Sequence, residues 1–293
     1  MKKSIAVVTS TIGRAELEDA ILSVKAQIYP CHHYVFVDGK IHAEKVKPLE
    51  QKYPDVVFIY LPFSTGAGGW TNSYINAMSA FVIKEDIICY LDDDNWYEPN
   101  HTSVIATAFH EQNIDVAFTY RKLFEPKTKT FICNDNSEST GFWKFSECAF
   151  KHEVTFNDRT FILQDILHNG FHVDTNCLAL SKETAQQFAA EWVKHKRNDR
   201  YLTNTLFNAD LSVLSTGKIT VNYNCDLIKQ LNIGDEIYAL FNVDKNNEEQ
   251  MFSFLSNCMR SLNEAAGELF GYPWIHPYLF KNKELQRVEM NFE

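Results

Sequence analysis

The first 120 residues repeat one pattern four times: a short apolar run, a polar break, then apolar residues at helical spacing. The runs cover residues 5–9, 34–38, 56–61 and 87–91, each with the length and composition of a buried strand. Between them Leu17, Ile21, Val24 and Ile28 mark one face of a helix ended by Pro30. A charged helix then runs to about Tyr53, and another covers roughly residues 71–81. Parallel strands need crossovers of this length, so the alternation predicts an α/β fold with a mainly parallel central sheet flanked by helices on both faces. In such sheets ligands bind beyond the carboxyl ends of the strands.

After a further strand at 115–120 the alternation stops. Residues 121–165 are polar and aromatic, with a turn at 134–137, and read as hairpins and loops that shape a binding site. Residues 170–180 read as a strand, 182–194 and 199–207 as helices, and 217–223 as a late strand. An amphipathic helix at about 248–270 leads into an aromatic tail around Trp274. No repeat and no Gly-, Ser- or Pro-rich linker divides the 293 residues.

Charge and cysteine usage narrow the setting. A formal charge of −10 excludes a general nucleic-acid binder, which needs a basic face. The seven cysteines (Cys31, Cys89, Cys133, Cys148, Cys177, Cys225 and Cys258) are scattered and never form a Cys-x-x-Cys pair. That pattern fits a reducing cytosol rather than a disulfide framework or zinc site. No stretch approaches the ~20 apolar residues that span a bilayer. A cytoplasmic protein is expected, with peripheral contact to the inner membrane face and homo-oligomerisation both left open.

The run at 87–91 empties directly into Asp92, Asp93 and Asp94. Three carboxylates at one strand end repel each other unless a cation sits among them, and carboxylate oxygens suit Mg²⁺ or Mn²⁺. An acidic turn that caps the next helix is the plainer alternative. Other strand ends send Thr9 to Arg14, Asp38-Gly39 and the loop Gly66-Ala67-Gly68-Gly69 to the same edge. There Asp38 can accept hydrogen bonds from a base or ribose, the N–H groups of Gly68 and Gly69 can approach phosphate, and Asp94 can hold a metal bridging a diphosphate. Asp38-Gly39 is also an ordinary turn sequence. The glycine loop has neither dinucleotide-fold nor P-loop spacing.

Three segments together resemble a known group: Val7-Val8-Thr9-Ser10-Thr11-Ile12-Gly13-Arg14, Phe36-Val37-Asp38-Gly39, and Tyr90-Leu91-Asp92-Asp93-Asp94-Asn95-Trp96-Tyr97-Glu98-Pro99. They are similar to family 2 glycosyltransferases with the GT-A fold, whose Asp-x-Asp signature is matched by Asp92-Asp93-Asp94. The resemblance covers residues 4–120. Val173-Asp174-Thr175-Asn176-Cys177 and Asn198-Asp199-Arg200 are looser matches to the acceptor-side strand and catalytic segment, and Asn198-Asp199 stands where the family usually has Glu-Asp.

The resemblance implies a domain over residues 1–230, with a nucleotide-sugar half at 1–120 and an acceptor half at 121–230, and a helical extension at 231–293. It implies that Asp38 and Arg14 contact the nucleoside, Asp92 the ribose or donor sugar, and Asp94 with Asp92 a Mn²⁺ or Mg²⁺ ion. Asp199 is the candidate general base, with a simple helix cap as its alternative role and Asp174 and Asp165 next in line. Asp93 is expected to point away. The implied activity is hexosyl transfer, metal-dependent and inverting, from a nucleotide sugar to a glycan or lipid-linked acceptor in polysaccharide biosynthesis. Two rivals remain: a nucleotidyltransferase on a related fold, and a non-catalytic sugar-nucleotide-binding scaffold. Trp70, Trp96 and Trp143 can stack on a sugar or base but more commonly pack. His101 is close enough to the triplet to be a metal candidate but reads as the first turn of the next helix, and His276 is a remote candidate for an extra metal ligand.

Overall fold

The computed structural model describes residues 2–136, 148–167, 172–241, 243–282 and 284–292. The four apolar runs form β1 (Ile5–Thr11), β2 (His32–Val37), β3 (Val57–Tyr60) and β4 (Ile87–Tyr90). They are connected through α1 (Leu17–Lys25), α2 (Ala43–Lys52) and α3 (Ser73–Val82), and pair in parallel in the order β3-β2-β1-β4. Next come β5 (Trp96–Tyr97), α4 (His101–Glu111), β6 (Val116–Phe124), β7 (Phe131–Asn134) and the hairpin β8 (Cys148–Phe156) with β9 (Arg159–Leu167). Then β10 (Leu178–Ser181), α5 (Lys182–Gln187), α6 (Asn198–Asn208) and β11 (Val213–Asn224) complete the second half. The chain ends through α7 (Leu227–Gln230), α8 (Asp235–Leu240), α9 (Glu248–Phe270), β12 (Tyr278–Lys281) and β13 (Glu284–Arg287).

One sheet dominates, in the order β13-β12-β11-β6-β10-β4-β1-β2-β3. Strand β10 lies between β4 and β6 and is antiparallel to both, while β6 and β11 run parallel. This reversal matters for the site. Parallel strands deliver their carboxyl ends to one edge, and an antiparallel strand delivers there the residues that precede it. Asp174 to Cys177 are thereby brought beside Asp92 to Asp94. The sheet centre is a continuous apolar core in which Val7, Phe36, Ile88, Ala117 and Leu180 are all buried.

Several elements differ from their sequence reading. Helix α1 stops at Lys25, so Ile28 leaves the buried face and is exposed, its N–H donating to the Pro99 carbonyl. The helix expected over 182–194 breaks at Phe188 into α5 and a 3₁₀ turn, Ala189–Val193. Of the strand expected at 170–180, residues 170 and 171 lie outside the described residues and only the end is strand. A 3₁₀ turn, Thr175–Cys177, precedes it because the Asp174 carboxylate accepts the Asn176 N–H. The late strand starts earlier, at Val213, and bends at Gly217, where φ is +67° and a Cβ would lie 2.9 Å from the His276 backbone. Residues 231–293 supply the expected helix α9, but they also add β12 and β13 to the sheet beyond β11. Met251 and Phe254 of α9 pack with Leu123, Ile132 and Val154 in a second apolar cluster.

Candidate active site

A cleft of about 540 Å³ opens at the carboxyl edge of the sheet. Its walls hold Arg14 after β1, Asp38 after β2, Asp92 to Asp94 after β4, Asp174 before β10, Asp199 at the start of α6, and Tyr223 on β11. The strand ends are flush: the Asp38 N–H donates to the Thr11 carbonyl and the Leu91 N–H to that of Val8.

Asp92 is held from two sides. Asn72 Nδ2 donates to its Oδ1 and Asn176 Nδ2 to its Oδ2, both at 2.8 Å, while its own N–H donates to Asn176 Oδ1 at 2.6 Å. Burial, reinforced by the charges of Asp94 and Asp174, pushes its carboxyl up to about 7. Asp93 does not point away. The chain has left the strand at Tyr90 and turns, so strand alternation no longer sets direction. Its Oδ2 accepts the Thr11 hydroxyl at 2.6 Å, and Arg14 Nη1 lies 3.3 Å from Oδ1. Burial pushes Asp93 up to about 6, against the pull of Thr11 and Arg14. Asp94 pairs with the Arg14 guanidinium, and burial still raises its carboxyl above the usual range.

Asp199 lies in the first turn of α6 and faces the cleft. Its Oδ1 accepts the Arg200 N–H at 2.7 Å, and Oδ2 is 3.2 Å from His172 Nε2. Burial would raise this carboxyl, but the contact with His172 and the backbone donor outweigh it and hold the group below the usual carboxylate range. Asn198 links the two ends of the cleft. Its Oδ1 accepts the Asp199 N–H at 2.7 Å, and its Nδ2 donates to Asn72 Oδ1 at 2.8 Å and Ser73 Oγ at 2.9 Å. Asp174, by contrast, is engaged internally: Oδ1 accepts from Asn176 and Oδ2 accepts Arg121 Nη1 at 2.6 Å. Arg121 also pairs with Asp135 at 2.8 Å and lies over the Tyr223 ring.

The remaining sequence candidates divide clearly. Asp38 lines the cleft, but its carboxylate accepts the Thr65 N–H, the Thr65 hydroxyl and the Gly66 N–H, so it anchors the glycine loop. Thr9 is fully buried, its hydroxyl 2.9 Å from His33 Nε2, and does not line the cleft. Gly68 and Gly69 have φ of +71° and +88° and lie beyond the lining residues, with Lys196 beside Gly69. Asp165 is on β9, paired with His152 at 2.8 Å, away from the cleft. His101 opens α4, buried and stacked on Tyr97. Neither His276, Trp70 nor Trp96 lines the cleft, and Trp143 lies outside the described residues. Asn72 and Tyr223 have no motif signal. Asn176 and Asn198 sit inside the two loosely matched segments, beside Asp174 and Asp199.

The donor chemistry of Asp92 and Asp94 fits a hard divalent cation: both are carboxylates raised by burial, Asp92 has only amide partners, and Asp94 faces only the half-exposed Arg14. Among the described residues no three His, Cys, Asp or Glu side chains converge as an all-protein metal cage.

The fold is the GT-A architecture. The profile of glycosyl transferase family 2 matches residues 5–182, and the chain belongs to that family. An uncharacterised protein of Haemophilus influenzae is 28% identical over 118 residues, which is 38% of this chain and 77% of that protein. The crystal structure of S. aureus TarS 1–349 in complex with UDP-GlcNAc superposes with a TM-score of 0.52 at 12% identity, covering 93% of this chain and 78% of that one. A second TarS 1–349 structure gives a TM-score of 0.50 at 10% identity, covering 98% of this chain and 97% of that one.

Proposed function

We propose that this protein transfers a sugar from a nucleoside-diphosphate donor to a hydroxyl of a glycan or lipid-linked acceptor, with inversion and with a divalent cation. The observation that carries the reading is the convergence of Asp92, Asp94 and Asp199 on one cleft. Family membership supports the transfer reaction, and the UDP-GlcNAc bound to the similarly folded TarS supports a nucleotide-sugar donor.

In this reading Asp38 keeps the glycine loop in place beside the nucleoside, and Arg14 puts a cation at the diphosphate end. Asp92 and Asp94 would hold Mn²⁺ or Mg²⁺, which when bound supplies charge neutralisation for the departing diphosphate. Asp199, kept ionised by His172, takes the proton from the acceptor hydroxyl as that oxygen attacks the anomeric carbon. A single displacement of this kind inverts the configuration at that carbon.

Calorimetry with UDP-, GDP- and CDP-sugars, with and without Mn²⁺, followed by nucleoside-diphosphate release on an acceptor panel, tests the proposal. Cation-dependent binding with release is expected. Binding with no release on any acceptor would leave a sugar-nucleotide-binding scaffold, and full release in EDTA would remove the cation from the mechanism.

A further inference from the structure

Helix α3 turns four of its large apolar residues away from the sheet. Ser73, Asn76 and Ser79 are buried with Ile75 and Ala80, whereas Tyr74 (41% exposed), Met78 (37%), Phe81 (66%) and Val82 (53%) face outward. At ~100° per residue these four fall within an arc of roughly 100°, one continuous stripe. None of the ten residues of α3 is charged. A solvated helix carries polar and charged residues on its outer face, so this one is built to meet something apolar.

Cations stand at both ends of the stripe. Lys84, exposed, follows the carboxyl end of α3. At the amino end lies the exposed run Lys194-His195-Lys196-Arg197. The 3₁₀ turn before this run packs on α3, Lys196 Cδ sits 3.6 Å from where a Gly69 Cβ would be, and Asn198 bonds to Asn72 and Ser73. Lys84, Lys196 and Arg197 have no ion-pair partner among the described residues. On a chain of formal charge −10 these cations offer an anionic surface a place to bind.

We propose that the outer face of α3, with the cations at its two ends, docks on an anionic lipid bilayer. An apolar stripe flanked by Lys and Arg buries its side chains at the headgroup boundary while each cation near the surface adds about fivefold to the affinity. The net negative charge elsewhere repels the same surface, which fixes the orientation. The loop leading into α3 includes Gly66, Thr71 and Asn72 of the cleft wall, so docking sets the cleft beside the membrane. If the transfer reading holds, this is where a lipid-linked acceptor arrives; the docking itself does not depend on that reading.

Co-sedimentation of the full chain with vesicles, in the absence of any sugar nucleotide, tests it. Vesicles of phosphatidylcholine with about one third phosphatidylglycerol should retain the protein, and pure phosphatidylcholine should do so at least ~10-fold less well. Raising salt to about 0.5 M should weaken retention similarly, because the screening length falls to a few ångströms. Phe81→Glu and Val82→Glu should each reduce binding ~10-fold with no change in thermal midpoint, since both side chains are exposed. Failure to bind phosphatidylglycerol vesicles, or unchanged binding by both variants, overturns the proposal. So does a dimer in sedimentation velocity that Phe81→Glu splits, which would make the stripe a contact between copies of this chain.

Discussion

As the proposed base, Asp199 meets two opposed demands: a cleft that excludes water buries it, yet burial favours the protonated form, which cannot accept a proton. His172 and the Arg200 N–H resolve the conflict in favour of the carboxylate. Replacing Asp199 with Asn should lower kcat by ~10²–10⁴-fold while donor affinity, measured by calorimetry, stays within about twofold. If kcat stays near normal, Asp199 serves only the first turn of α6. Asp94→Asn should abolish cation-dependent donor binding, because it removes one of the two carboxylates that fit the ion. Asp93→Asn keeps an acceptor for Thr11 but loses the charge facing Arg14, so its effect should fall on donor KM more than on kcat.

At the level of elements, the antiparallel β10 is what turns a generic α/β edge into this cleft. It brings Asp174 and Asn176 against the end of β4, where Asn176 fixes the backbone and carboxylate of Asp92. Behind them Arg121 of β6 neutralises Asp135 and Asp174 together, and all three side chains are about nine-tenths buried or more. Arg121→Met removes the positive charge that two interior carboxylates share. A loss of ~3–5 kcal/mol is expected from denaturant unfolding, with the midpoint shifting and the slope unchanged. An Arg121→Met variant as stable as the parent would show that solvent already reaches this triad. The same change should weaken donor binding, since Asp174 would no longer hold Asn176 in place.

The whole molecule should respond to acid through histidines far from the cleft. Burial pushes His33 and His101 down to about 3, and each ring has one nitrogen without a hydrogen-bond partner among the described residues. Their folded pKa values lie below the unfolded value of ~6.5. The unfolded chain therefore takes up protons first, and stability falls as pH drops from about 6.5 toward 3, by up to ~1.4 kcal/mol per pH unit for each histidine. Asp92 and Asp93 act in the opposite sense, because their raised folded values keep protons that the unfolded chain has released. His33→Gln or His101→Gln should flatten the acid limb of a stability–pH curve measured by urea unfolding; an unchanged limb would mean that these histidines are protonated in the folded state. Thr9 shows the same division between sequence and structure: its neighbours suggest a ligand, but its hydroxyl is committed to His33 inside the sheet.

Local pattern alone specifies β1 to β4 and the helices between them, because strand and helix periods are local and each apolar run is long enough to be buried. It also determined that Asp38 and Asp92 to Asp94 gather at one edge, since parallel strands all end there. Helix α9 was equally legible, its 23 residues following one amphipathic pattern from Glu248 to Phe270. What the amides and counter-charges do depends on how the folded chain brings them together. Asn72 carries no motif signal, the segments that hold Asn176 and Asn198 do not mark these amides' partners, and those partners lie 84 residues away for Asn176 with Asp92 and 126 for Asn198 with Asn72. The direction of Asp93, the short β10 behind a 3₁₀ turn, and the place of β12 beside β11 likewise depend on contacts between distant segments. A local pattern fixes which face of an element is buried; the hydrogen-bond partners of a buried polar group are fixed by whatever the rest of the chain brings within about 3 Å of it.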